Sequence, residues 1–194
     1  LSGHLGPKDV ISCTGTADTA YTLRSAPNLL RNSVRLVAEQ DSLNASILGP
    51  DAVPGTPEFD LFVKEVHREM TTKAGQKCTA IRRIIAPDAQ VEAVIEAVSN
   101  RLKTTTIGDP RNPDTRMGAL VSQAQRADVL AKCATLDTEA DRVFGDPDAF
   151  EILGADSTRG AFLPPMLYHC ADPDKADRIH DTEAFGPVAT VIGY

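Results

Sequence analysis

Apolar positions along this chain follow two periods, and segments of each kind take turns. Residues 9–14 form a short apolar-rich run closed by Gly15, which predicts a buried strand. Residues 16–24 then read as a helix. Two further strands are predicted over 34–38, ending near Glu39, and over 45–48. Thr56-Pro57-Glu58 opens a helix, with proline in the first turn and an acid at the positive end. Phe59, Phe62, Val63, Val66 and Met70 recur at helical spacing, so the helix is expected to run to about Lys73 and stop near Gly75. Its polar face carries Asp60, Lys64, Glu65, His67 and Arg68, and His67 reads as a satisfied surface histidine.

Residues 79–85 predict a strand across which Arg82 and Arg83 alternate. They read as surface charge, though one of them is placed to meet an anionic substrate. Pro87-Asp88 opens a helix with Val91, Val94, Ile95, Val98 and Leu102 on one face. Glycine and proline make 107–113 a loop. Ser122-x-x-Gln125 has the form of a capping box for a helix through Leu130 and Cys133. Short extended segments follow at 142–145, 161–163 and 166–168, and residues 187–192 close the sequence as an apolar strand whose partner strand or covering helix is expected to be cut away. Strands alternating with helices predict an α/β fold with a largely parallel sheet.

Composition narrows the function classes. A net charge of -7, from 20 basic and 27 acidic groups, argues against a general nucleic-acid binder. No apolar run is long enough for a membrane-spanning helix. The first residues lack the basic start and apolar stretch of a signal peptide, and without an initiator methionine the chain reads as an excised segment. Cysteines stand at 13, 78, 133 and 170, with no CxxC pair, and the histidines do not fall at zinc-ligand spacing. The expectation is no metal and reduced, cytoplasmic cysteines.

One segment carries candidate chemistry. In Ala74-Gly75-Gln76-Lys77-Cys78-Thr79-Ala80 a cysteine lies past a helix end, in a glycine-led turn, just before a strand. A thiol there can attack a carbonyl while its own backbone N–H binds the resulting oxyanion. Lys77, Arg82 and Arg83 are the cations close enough in sequence to favour a thiolate. Taken alone, such a cysteine is more often a small buried residue than a nucleophile.

Four stretches in order change that reading. Gly75-Gln76-Lys77-Cys78 resembles the Gly-Gln-x-Cys signature of the aldehyde dehydrogenase superfamily. Thr14-Gly15-Thr16 resembles its Phe-Thr-Gly-Ser turn, with Cys13 in place of the phenylalanine. Asp109-Pro110 with Met117-Gly118-Ala119-Leu120 resembles its Gly-Asp-Pro and Met-Gly-Pro loop. Glu183-Ala184-Phe185-Gly186-Pro187-Val188 is similar to its Glu-x-Phe-Gly-Pro-Val motif. The branch most resembled, through residues 68–83, is the dehydrogenase half of the PaaZ-type bifunctional proteins of phenylacetate degradation. Dehydrogenases of the benzoyl-CoA route are close to it.

The resemblance implies a three-layer aldehyde dehydrogenase catalytic domain at 47–194, with the last strands of a Rossmann-like cofactor-binding domain at 1–46. It implies Cys78 as nucleophile and Glu39 as general base. It also implies Gly15 and Thr16 facing the cofactor diphosphate or ribose, Glu183 on the nicotinamide ribose and Phe185 beside the ring. The cofactor would be NADP or NAD, and the substrate an aldehyde carried on a CoA thioester. The full-length protein would be a homo-oligomer, and the isolated fragment would be inactive. Glu39-Gln40-Asp41-Ser42-Leu43-Asn44 departs from the usual Glu-Leu-Gly-Gly-Lys-Asn, so the glycines beside the nicotinamide are missing. Residue by residue, plainer readings stand alongside. Glu39 also reads as a solvated acid at a strand end, Gly15 as an ordinary turn, and Phe185 as core packing. Cys13, Cys133 and Cys170 read as structural. Two other classes compete: a dehydrogenase-like interaction domain without catalysis, and a thioesterase or acyltransferase using the same thiol.

Overall fold

A computed structural model describes residues 2–194. The chain divides into two compact units, Leu1–Ser42 and Leu43–Tyr194.

In the first unit, β1 (Val10–Gly15) and β2 (Arg35–Gln40) pair in parallel, with Val10 opposite Arg35 and Gly15 opposite Gln40. Parallel neighbours need a crossover, supplied by α1 (Ala17–Arg24) and α2 (Pro27–Arg31). Helix α1 starts where it does because the Thr16 hydroxyl accepts the Thr19 N–H at 3.2 Å. The strand expected to be buried at 9–14 is open instead. Val10 is 47% exposed and Val37 61%, because a two-stranded sheet with one short crossover cannot cover both of its faces.

The second unit is built on a five-stranded sheet in the order β3-β4-β7-β6-β5. Its strands are β3 (Asn44–Ile47), β4 (Ile81–Ala86), β5 (Asp141–Phe144), β6 (Met166–Cys170) and β7 (Val188–Gly193). All pairs are parallel except the β5–β6 edge. The sequence reading placed the domain boundary after residue 46. The chain divides after Ser42, because β3 hydrogen-bonds to β4 in the larger sheet. The last strand has not lost a partner: β7 is paired on one edge with β4 and on the other with β6.

Helices α3 (Pro57–Thr71) and α4 (Val91–Leu102) join one core, which takes Ile84, Leu167, Ala189 and Val191 from the sheet. Helices α5 (Gln123–Leu136) and α6 (Arg178–Asp181) join the other, with Met166, Tyr168, Val188 and Ile192. Neighbouring residues of β6 and β7 thus go to opposite cores, as a period of two requires. This gives three layers, and it explains why these strands read as continuous apolar runs.

Candidate active site

Chain geometry first sets the loop that carries Cys78. Helix α3 ends at Thr71, two residues before the expected stop. Lys73, Ala74 and Gly75 then take left-handed backbone in succession, with φ of 54°, 53° and 68°. Such angles cost roughly 1–2 kcal/mol each for residues with a Cβ, so the surrounding contacts must hold them. Gly75 has a second requirement: a Cβ there would lie 2.1 Å from the carbonyl oxygen of Gly186. Arg82 Nη2 donates to the Gly75 carbonyl at 2.8 Å, and Gln76 Nε2 donates to that of Lys73 at 2.9 Å. The Gln76 Oε1 accepts the Val121 N–H at 2.9 Å, tying the loop to the Met117–Leu120 motif.

Cys78 follows in a turn and is exposed, whereas Cys133 and Cys170 are buried and Cys13 is half-buried. The Asn44 side-chain amide fixes the turn from β3, donating to the Cys78 carbonyl at 2.6 Å and to that of Ala80 at 3.1 Å. Each of the three cations near Cys78 in sequence has a partner in the structure. Lys77 Nζ pairs with Glu69 at 2.7 Å. Arg83 Nη2 donates to the Leu43 carbonyl at 2.7 Å. Arg82 is buried, only 4% exposed, and its reading as surface charge is corrected: both faces of this sheet are covered, so alternation on β4 does not send it to water. Burial lowers the Arg82 pKa from its ordinary value, and the nearby Glu183 carboxylate acts in the opposite sense.

Arg82 also meets the segment before β7. Its Nη1 donates to the Gly186 carbonyl at 2.6 Å, its Nε lies 3.8 Å from Glu183 Oε1, and its guanidinium carbon lies 5.5 Å from the centre of the Phe185 ring. Gln125, in the first turn of α5, donates to the Phe185 carbonyl at 3.0 Å. The expected capping box is therefore half made. Ser122 caps Gln125 N–H at 3.1 Å, but the Gln125 side chain serves the Phe185 segment. His67 is half-buried, with Nε2 3.0 Å from the Thr105 hydroxyl.

In the first unit, sheet register sets Glu39 opposite Thr14 and Gln40 opposite Gly15, so Glu39, Gly15 and Thr16 share one end of the β1–β2 pair. Glu39 is exposed there. Asp41 has φ 36°, a backbone suited to the glycine that the sequence lacks, and its carboxylate accepts the Ala17 N–H at 3.0 Å.

Four supporting contacts go beyond the sequence expectations: Asn44 to the Cys78 carbonyl, Glu69 to Lys77, Gln125 to the Phe185 carbonyl and Arg82 to the Gly186 carbonyl. Only Asn44 had a usable signal, its place at the end of the Glu39–Asn44 stretch.

Comparisons with known proteins give the family of the chain. The profile of the aldehyde dehydrogenase family matches residues 7–194. The chain is 51% identical to 3,4-dehydroadipyl-CoA semialdehyde dehydrogenase of Aromatoleum evansii, covering all of this chain and 38% of that protein. It is 41% identical over 80 residues to Protein MaoC of Klebsiella aerogenes, covering 40% of this chain and 22% of that protein. Among solved structures, apo betaine aldehyde dehydrogenase of Staphylococcus aureus (a G234S mutant) superposes with a TM-score of 0.81 at 26% identity. It covers the whole chain and 36% of its own. A C291A mutant of aldehyde dehydrogenase C from Pseudomonas syringae, complexed with NAD+ and octanal, gives 0.79 at 25% identity, with 100% and 37% covered. This chain thus spans under two-fifths of the length of these relatives. The chain belongs to the aldehyde dehydrogenase family.

Proposed function

We propose that this chain is the nucleophile-bearing part of an NAD(P)-dependent aldehyde dehydrogenase that oxidises a CoA-linked semialdehyde to the acid. The observation that carries the reading is an exposed Cys78 on a loop locked by Asn44, Gln76 and Arg82, with Glu183 and Phe185 held by the same guanidinium. The 51% identity to a CoA-semialdehyde dehydrogenase supports the substrate class. Soluble, cytoplasmic action in a homo-oligomer belongs to the same proposal.

The candidate residues fit a nicotinamide cofactor. Glu183, with a side chain 12% exposed, is the carboxylate proposed to meet the ribose hydroxyls, and Phe185 is the half-buried ring proposed beside the nicotinamide. Gly15 and Thr16 stand at the start of α1, where backbone N–H groups favour phosphate. Asp41 already holds the Ala17 amide, which is left out of the proposed set. A bound nicotinamide would supply the hydride acceptor.

On this reading the Cys78 thiolate adds to the aldehyde carbon, and its own backbone N–H stabilises the alkoxide. Loss of hydride from that carbon leaves a thioester on Cys78. Glu39 takes a proton from water as the water attacks the thioester, the C–S bond breaks, and the acid departs with the thiolate restored. Locking the loop beforehand keeps the sulfur and the amide aimed without reorganisation.

The test uses the full-length protein carrying this chain, with reduced nicotinamide followed at its absorbance band. Cys78→Ser is expected to cut turnover on the order of a thousandfold or more, while Cys13→Ser, Cys133→Ser and Cys170→Ser retain hydride transfer. Full activity in Cys78→Ser would overturn the reading.

A further inference from the structure

We propose that Arg82 is a positioning residue that sets the Glu183 carboxylate and the Cys78 loop in one register, so that hold on the cofactor ribose and placement of the thiol are lost together when the guanidinium is lost. The inference rests on the functional reading of Cys78 and Glu183 given above.

The geometry of the donors carries it. Nη2 serves the Cys78 loop, bonding the Gly75 carbonyl at 2.8 Å and reaching that of Lys77 at 3.5 Å. Nη1 serves the other segment, bonding the Gly186 carbonyl at 2.6 Å. Nε faces Glu183 Oε1 at 3.8 Å, and the Phe185 ring lies at cation–π distance, 5.5 Å. Gly75 precedes Cys78 by three residues, and Gly186 follows Glu183 by three. One planar group thus bridges the two stretches at matching removes from their proposed functional residues.

Burial makes a purely packing role uneconomical. Taking a cation out of water costs several kcal/mol, and an apolar side chain of the same volume often packs at no loss. An arginine kept at 4% exposure among main-chain carbonyls is spending that cost on geometry. Lysine cannot replace it fully, because its single nitrogen lacks the fork that reaches two carbonyls from two atoms. The close approach of Gly75 to Gly186 adds the reason for coupling: the two backbones touch, so a shift in one segment is passed to the other.

The experiment uses the full-length enzyme with Arg82→Lys, Arg82→Met and Glu183→Gln. Four quantities are read: cofactor KM, kcat, the iodoacetamide alkylation rate of Cys78 without cofactor, and the thermal midpoint. Loss of one charge-assisted bond corresponds to about tenfold. Both Arg82 variants are therefore expected to raise cofactor KM about tenfold and to change the Cys78 alkylation rate by a comparable factor, with arginine-to-lysine the milder. Glu183→Gln raises KM and leaves alkylation unchanged. Arg82 variants that lower only the thermal midpoint, or that move only one of the two readouts, overturn the proposal. If neither variant folds, amide hydrogen exchange on the wild type decides. Cofactor-induced protection of both 72–80 and 183–188 supports the coupling, and protection of 183–188 alone overturns it. A wild type with no cofactor-dependent oxidation, or a Cys78→Ser variant that stays active, overturns the functional reading itself, and this inference with it.

Discussion

Gly75 shows how much one position can carry. It has a positive φ and leaves 2.1 Å between a notional Cβ and the Gly186 carbonyl oxygen. Gly75→Ala is expected to cost more than the roughly 1–2 kcal/mol of a left-handed alanine, because the Gly186 backbone must also move. Urea unfolding of the variant checks this, and a change below that range would show that the contact yields easily. Cys78 and Gly75 were legible because their motif is contiguous. The contact of Asn44 was not, because its partners Cys78 and Ala80 lie 34 and 36 residues away, although the residue itself closes the Glu39–Asn44 stretch. Arg82 was misread for a related reason. Alternation tells which residues share a face, not whether that face meets water, and both faces of this sheet are covered by helices.

Among the elements, α3 and α4 were legible from period and α5 from its opening Ser122-x-x-Gln125, and in the structure Thr56 and Ser122 each cap a helix start. The short ones were not: α2 has five residues and α6 four, too few for a period of 3.6 to show. Packing of α5 on β6 yields a pH prediction. Burial raises the Cys133 thiol from its ordinary 9.0 to about 11, and the Tyr168 hydroxyl beside it is also pushed up by burial and by that thiol. A raised folded pKa means that the native state holds the proton longer than the unfolded chain. The Cys133 contribution is therefore intact below pH 9.0 and is lost as pH rises towards about 11. Urea midpoints measured across that window should fall for the wild type, and fall less for Cys133→Ala. Equal slopes would contradict the assignment.

At the scale of the molecule, the order of strands and helices was enough to give the α/β class and a mostly parallel sheet. Where the units divide is set by pairing: β3 has four residues, and its bonds to β4 assign it to the larger unit. The family follows from the profile match over residues 7–194 and the identity to curated relatives, and this chain spans under two-fifths of those relatives' length. The proposed chemistry separates cleanly into thioester formation on Cys78 and hydrolysis assisted by Glu39, and that separation can be observed. The full-length Glu39→Gln enzyme is mixed with NADP and a CoA-linked semialdehyde, quenched in acid, and digested for mass spectrometry. The account predicts an acyl group accumulating on Cys78, with one reduced nicotinamide formed per site in a burst followed by slow turnover. Unhindered steady turnover, or an acyl group found on any other residue, would contradict it.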